Sequence, residues 1–194
     1  TRWLRRVFLL KPSMLVVEDL IRSPSPKLSI RWALRSVAEP KIESGRFRVT
    51  EANTEILGET VFPADATLKK TTRPAFGTRP PGFNVEVASG QAPNEARFIH
   101  VLRLGQAGGP EGPIAPKISR NDKSIELTVA EQEKVFRLTL PDDGSAAGRI
   151  EITGSDGTAL MRGRLLPSGV MPHGPEGARL MERWDAPYRR EQLP

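Results

Sequence analysis

Few side chains in this sequence are of the types that carry out acid–base or metal chemistry. There are two histidines, His100 and His173, one tyrosine, Tyr188, and no cysteine. The histidines are far apart in the sequence, and neither has a second His or Cys nearby to complete a metal shell. Motifs of serine hydrolases, phosphate-binding loops, dinucleotide-binding turns and zinc peptidases are all absent from the sequence. We therefore predict no metal site, no cofactor and no complete catalytic centre in this chain.

The two histidines have simpler interpretations than catalysis. His100 alternates with Phe98 and Leu102 along a predicted strand, so the three side chains share one apolar face. A buried, hydrogen-bonded structural histidine is the favoured interpretation there. His173 lies in a Pro-His-Gly-Pro sequence and is predicted to be a surface residue of a loop.

Two adjacent carboxylates, Glu18 and Asp19, interrupt an otherwise apolar strand. Neighbouring residues on a strand point to opposite faces, so these two cannot form a catalytic pair with each other. We expect one of them to form an ion pair with an arginine such as Arg5 or Arg22. Trp32, on the inward face of its strand, is predicted to be part of the core.

The positive charge is concentrated in the first half of the chain. The formal net charge is +6. Residues 1–100 hold 16 basic and 10 acidic residues, whereas residues 101–194 hold 13 of each. The basic residues are scattered and lack the interleaved aromatic residues of a nucleic-acid interface, so we predict no nucleic-acid partner. Ordinary solvated strand faces and loops are one interpretation, and a basic face that attracts an acidic polymer is the other.

If such a face exists, the strand period identifies its members. Arg31 and Arg35 lie four positions apart on one strand, so both project from the same side. The long loop predicted over residues 64–82 could reach over that side of the strand. The candidate glycan contacts are Arg31, Arg35, Lys69, Lys70 and Arg73. The alternative is that Arg31 and Arg35 pair with acidic residues on adjacent strands.

Composition and periodicity together predict an all-β protein. The 194 residues are 38% apolar and 27% charged, with 17 glycines and 18 prolines spread along the chain. No apolar run approaches the roughly 20 residues of a membrane helix. Short strands alternate with turn sequences, for example at Ser44-Gly45 and at 154–157. We predict one domain over residues 1–194, a two-layer antiparallel β-sandwich of roughly ten to twelve strands.

Three segments are predicted to differ from this pattern. Residues 64–82 have little apolar content and are expected to form a long loop, as is the Gly- and Pro-rich stretch 105–116. A short helix is predicted around residues 175–184. Less than about 10% helix is expected in total.

Several strand sequences resemble the β-rich C-terminal region of heparinase II/III-type polysaccharide lyases. The similar segments are RRVFLLKP at 5–12, LVVED at 15–19, IRWALRS at 30–36, GRFRV at 45–49 and FIHVL at 98–102. In that family an "R-x-V-x-F-x-K-P" strand leads to a "V-V-x-D" strand and then to a "W-x-L-H-S" strand. The resemblance covers residues 5–104, and Arg35 stands where the family has histidine.

The resemblance implies a supporting domain that walls the cleft of an enzyme acting by β-elimination on an acidic, uronate-containing polysaccharide. In the family, an N-terminal helical toroid and the first β strands supply the catalytic side chains, so no catalytic residue is carried over to this chain. We therefore expect a C-terminal fragment of a longer bacterial lyase that lacks its toroid, is secreted or periplasmic, and is inactive by itself. The alternatives are an autonomous carbohydrate-binding module and a structural module. No cofactor and no membrane contact are expected.

Overall fold

The computed structural model describes residues 2–23, 29–75, 80–90, 94–109, 112–142 and 148–165, and these contain fourteen β strands and no helix. The strands of the first half of the chain are β1 (Arg2–Leu10), β2 (Met14–Arg22), β3 (Arg31–Ser36), β4 (Lys41–Glu43), β5 (Arg46–Glu51), β6 (Thr54–Phe62), β7 (Thr67–Arg73) and β8 (Gly82–Ala88). Those of the second half are β9 (Glu95–Gln106), β10 (Lys117–Arg120), β11 (Ser124–Glu131), β12 (Lys134–Pro141), β13 (Arg149–Gly154) and β14 (Ala159–Leu165).

The strands form three antiparallel sheets. The largest has six strands in the order β1-β2-β9-β6-β5-β4, and the second is the meander β10-β11-β12-β13-β14. The third has three strands in the order β3-β8-β7. We call them the middle sheet, the five-stranded sheet and the three-stranded sheet.

The central strands of the middle sheet are buried on both faces. Its first face packs against the five-stranded sheet, where Val16, Ile99 and Val101 meet Leu127 and Leu138, all of them fully buried. Its second face packs against the three-stranded sheet, where Phe98 and Phe47 meet Trp32, Val85 and Val87. Strands that are buried on both faces have nearly continuous apolar sequences, which explains the aliphatic sequence of β2.

The predicted all-β antiparallel sandwich is confirmed. The described residues form three layers and fourteen strands, where the sequence predicted two layers and ten to twelve strands. The additional layer is the three-stranded sheet, which covers the face of the middle sheet that carries Val17, Phe98 and Leu102. Apolar residues on both sides of β2 and β9 need this second cover, because an exposed apolar face of that size is unfavourable in water.

The predicted turn sequences are also confirmed. β4 and β5 are joined at Ser44 and Gly45, whose φ angles are 41° and 79°. β13 and β14 are joined through a turn in which Gly157 has a φ of 84°. Both turns need the left-handed backbone region that glycine enters without a steric penalty.

The prediction of a long loop over residues 64–82 is wrong. β7 lies within this segment and pairs with β8 from Thr67↔Ala88 to Arg73↔Gly82. It is an edge strand with one face in solvent, so it needs little apolar content, and its threonines are good strand formers. The sequence prediction also did not resolve β6 and β10 as separate strands.

No helix among the described residues is long and apolar enough to cross a membrane. The predicted short helix at 175–184 lies outside the described residues, as do His173, Trp184 and Tyr188.

Candidate functional site

A basic face covers the outer side of the three-stranded sheet. The pairing registers place Arg31 and Arg35 of β3 on the same side as Glu86 of β8 and as Lys69 and Arg73 of β7. Alternate residues of these strands, such as Trp32, Val85 and Val87, point into the core. The inward residues therefore hold the sheet in place, and the outward residues are left to interact with solvent or a ligand. We call the set Arg31, Arg35, Lys69, Arg73 and Glu86 the basic face.

Glu86 is the only carboxylate of this face among the described residues, and it lies at the centre. It accepts hydrogen bonds from Thr71 Oγ1 at 2.8 Å and from Arg31 Nη1 at 2.9 Å, and Lys69 Nζ lies 3.5 Å away. The Thr71 hydrogen bond, followed by that from Arg31, lowers the pKa of Glu86 below its usual value. Glu86 is therefore ionised at neutral pH and partly neutralises two of the four cations.

The remaining two cations have no carboxylate partner within the described residues. Arg35 is exposed on β3, opposite Asn84. Arg73 is half-buried and lies over Gly82, where its Nη2 atom is 3.2 Å from the position that a Cβ atom would occupy. Its Nε atom is buried and has no hydrogen-bond partner among the described residues. The expectation that Arg31 and Arg35 both pair with adjacent acidic residues thus holds for Arg31 alone.

Lys70 does not belong to the basic face. It lies opposite Val85 in the register, so it projects from the other side of β7. Its ammonium group forms an ion pair with Glu39 near β4. The sequence does not predict this difference, because Lys69 and Lys70 are adjacent in a segment whose polar composition is typical of a loop.

The buried histidine predicted from the strand pattern is confirmed. His100 has no exposed surface, and its Nδ1 atom lies 3.1 Å from Thr60 Oγ1. Its ring packs on Trp32, with 3.8 Å between the ring centroids. Burial, and secondarily the positive charge of Arg5, lowers the pKa of His100 to about 3. A neutral, enclosed imidazole cannot reach a substrate, so it is not a candidate for a general base in this arrangement.

Glu18 and Asp19 face opposite sides of the middle sheet, as predicted. Asp19 accepts two hydrogen bonds from Arg5, at 2.7 and 2.9 Å, and one from Trp3 Nε1 at 2.8 Å. The expected ion pair is therefore formed by Arg5. Arg22 instead pairs with Glu95.

Glu18 lies at the buried end of an ionic network that the sequence does not predict. Its two carboxylate oxygens accept from Arg6 Nε at 2.6 Å and from Arg97 Nη2 at 2.5 Å. Arg97 Nη1 also donates to Asp142 Oδ1 at 3.2 Å. Arg120 Nη2 donates to the other oxygen of Asp142 at 2.9 Å. The signal in the sequence was an arginine and a glutamate within apolar strands, but their pairing depends on the register.

No group of three potential metal ligands is found among the described residues. Comparison with protein-family models finds no match, and comparison with curated proteins finds none either. The interpretation of the basic face therefore depends on the charges and contacts of its own residues.

Proposed function

We propose that this chain is a supporting domain of a heparinase II/III-like polysaccharide lyase, and that the basic face binds an acidic polysaccharide. The observation that carries the proposal is that four cations and only one carboxylate lie on the outer side of the three-stranded sheet among the described residues. The resemblance of residues 5–104 to the C-terminal region of those lyases supplies the substrate class.

The charges of the basic face suit an extended polyanion. Arg31 and Arg35 are four residues apart on one strand, which corresponds to about 13 Å. One small anion cannot bridge this distance, whereas a polymer with repeated carboxylate or sulfate groups can. The guanidinium groups of Arg35 and Arg73 are free of carboxylates within the described residues, and a guanidinium binds such oxyanions through two parallel hydrogen bonds.

In this proposal the domain binds and orients substrate, and the rest of the enzyme carries out the chemistry. β-Elimination from a uronate needs a base near C5 and a positive group at the carboxylate. The basic face can hold carboxylates, but Glu86, its one carboxylate among the described residues, has a lowered pKa and is therefore a weaker base than a free glutamate. We expect this chain alone to form no unsaturated uronate product from heparin, heparan sulfate or alginate, as followed by ultraviolet absorbance.

Retention on heparin and alginate columns tests the binding proposal. The double variant Arg31→Ala/Arg35→Ala should elute at lower salt than the wild type, because it removes two cations of the face. The sharper comparison is Lys69→Gln against Lys70→Gln, which remove the same charge from neighbouring positions on opposite sides of β7. Only Lys69→Gln should lower the elution salt clearly. Equal elution of the two lysine variants would contradict the proposal and leave only general basicity.

An autonomous carbohydrate-binding module is the second candidate, and Trp3 is the observation in its favour. Its side chain is 62% exposed and is held by the hydrogen bond to Asp19. Sugar stacking needs a free aromatic face, and the guanidinium of Arg5 already lies 5.0 Å from the centre of the Trp3 ring. Binding of neutral glycans that is lost in Trp3→Ala would favour this candidate over the first.

A further inference from the structure

A cavity of about 360 Å³ is lined by both the middle sheet and the five-stranded sheet. The middle sheet contributes the β1–β2 turn, the start of β6 and the end of β9, and the five-stranded sheet contributes the end of β11 and the turn that follows it. This volume is within the range of cavities that hold small organic ligands, about 300–1,000 Å³. The basic face lies on the third sheet, so a ligand in this cavity would not depend on polysaccharide binding there.

Glu131, the last residue of β11, places a buried carboxylate in the wall of the cavity. The residue is only 6% exposed. Its Oε1 atom accepts a hydrogen bond from Ser13 Oγ, and its Oε2 atom is buried and has no hydrogen-bond partner in the described part of the chain. A hydroxyl group carries no charge. These contacts therefore leave a buried carboxylate without a positive partner, which is costly in a medium of low dielectric constant.

The second carboxylate of the cavity belongs to Glu55, and its charge is compensated within the protein. Glu55 is almost as buried as Glu131. Both of its oxygens accept from Arg48 Nη1, at 3.1 and 3.0 Å. Of the two carboxylates, Glu131 is thus the one that a cation from outside the chain would complete.

We propose that this cavity binds an amino sugar, with the ammonium group of the ligand on the carboxylate of Glu131. An ammonium group supplies the missing positive charge together with three hydrogen-bond donors. A metal ion is a poorer fit, because no group of three potential metal-ligating side chains is found among the described residues.

The rest of the lining suits a ligand with hydroxyl groups. The amide side chains of Gln106 and Gln132 also line the cavity. Each amide offers both donors and an acceptor, and a hydroxyl group can use either. An amino sugar combines several hydroxyl groups with one ammonium group, which matches several polar neutral side chains around one uncompensated carboxylate.

Calorimetric titration of the wild type with glucosamine and with glucose tests the ionic contact. The two sugars differ in one substituent, an ammonium group in place of a hydroxyl group at C2. Glucosamine should bind saturably, and glucose should bind about tenfold or more weakly, because hydrogen bonds between two charged groups are stronger than neutral ones. A wild type that does not bind glucosamine, or that binds both sugars equally, would overturn the proposal.

Two variants then locate the site. Glu131→Gln keeps the shape of the side chain and removes its charge, and we expect it to bind glucosamine about tenfold to a hundredfold more weakly. Glu133→Gln is the matched control, because it removes the same charge at an exposed position two residues away, in the turn between β11 and β12. It should bind as the wild type does. Circular dichroism verifies that both variants are folded, and equal affinities of the two variants for glucosamine would contradict the assignment to Glu131.

Discussion

The side chain of His100 is enclosed between the middle and three-stranded sheets, and this enclosure couples its protonation to folding. Its pKa is about 3 in the folded chain and about 6.5 in an unfolded one. Between pH 6.5 and 3 the unfolded state therefore binds a proton at His100 that the folded state does not bind. The contribution of neutral, buried His100 to the stability of the folded state is complete above pH 6.5 and is lost as the pH falls towards 3.

We expect the free energy of unfolding to fall with decreasing pH between about 6.5 and 3, with His100 contributing up to about 1.4 kcal/mol per pH unit. Denaturant unfolding at several pH values measures this slope. The variant His100→Gln removes the titrating group and should show a shallower slope. Identical slopes for the two proteins would contradict the burial argument, because carboxylates elsewhere contribute equally to both.

Substitution of Glu86 tests whether the basic face binds anions. This prediction rests on the proposed function. Glu86→Gln removes the only carboxylate of the basic face in the described structure and frees Arg31 and Lys69 from it. We expect this variant to elute from a heparin column at higher salt than Glu126→Gln, which changes the net charge equally at an exposed site on β11. If both variants shift by the same amount, anion binding is not centred on the basic face.

At the scale of elements, the packing of β5 on β6 depends on one glycine. Gly58 lies directly opposite Phe47 in the register, and the Phe47 ring occupies the space above it. A Cβ atom at Gly58 would lie 2.2 Å from Phe47 Cζ. Phe47 is 1% exposed, so its ring has no free space to move into.

Gly58→Ala should therefore lower the free energy of unfolding by about 1–3 kcal/mol through overpacking. Gly105→Ala is the matched control, because it also lies on a strand of the middle sheet but a Cβ there would meet nothing within 4 Å. Its effect should be within about 0.5 kcal/mol. Urea unfolding of the two variants checks the difference, and equal effects would contradict the packing argument.

At the scale of the whole molecule, the ionic network that begins at Glu18 links the middle sheet to the five-stranded sheet. Arg97 of β9 reaches Glu18 of β2 in its own sheet and Asp142 just after β12 in the other. It also donates to the carbonyl oxygen of Leu140. A buried charge that loses its partner is costly because the low-dielectric interior cannot solvate it.

We expect Glu18→Gln to lower the free energy of unfolding by about 3–5 kcal/mol, because it leaves Arg6 and Arg97 without their shared carboxylate. Glu95→Gln breaks the exposed ion pair with Arg22 and should cost about 1 kcal/mol or less. Thermal or denaturant unfolding measures both. A small effect of Glu18→Gln would contradict the large cost expected when buried arginines lose their carboxylate partner.

The sequence alone determined the features that depend on local order along the chain. Period-two alternation identified the inward side of β3 with Trp32 and the outward side with Arg31 and Arg35. Turn residues located the hairpin at Ser44-Gly45, and the apolar neighbours of His100 predicted its burial. These features follow from backbone sterics and side-chain alternation, which act over a few residues.

Only the tertiary structure decided which strands are neighbours. β7 is polar enough to look like a loop, and it becomes a strand because β8 supplies its hydrogen-bond partners. The same pairing brings Lys69 to Glu86 and turns Lys70 to the opposite side. It also adds the third layer, because the middle sheet is apolar on both faces. These outcomes depend on which strands become neighbours, which a pattern of a few residues does not specify. A one-residue change of register would turn every side chain to the other face.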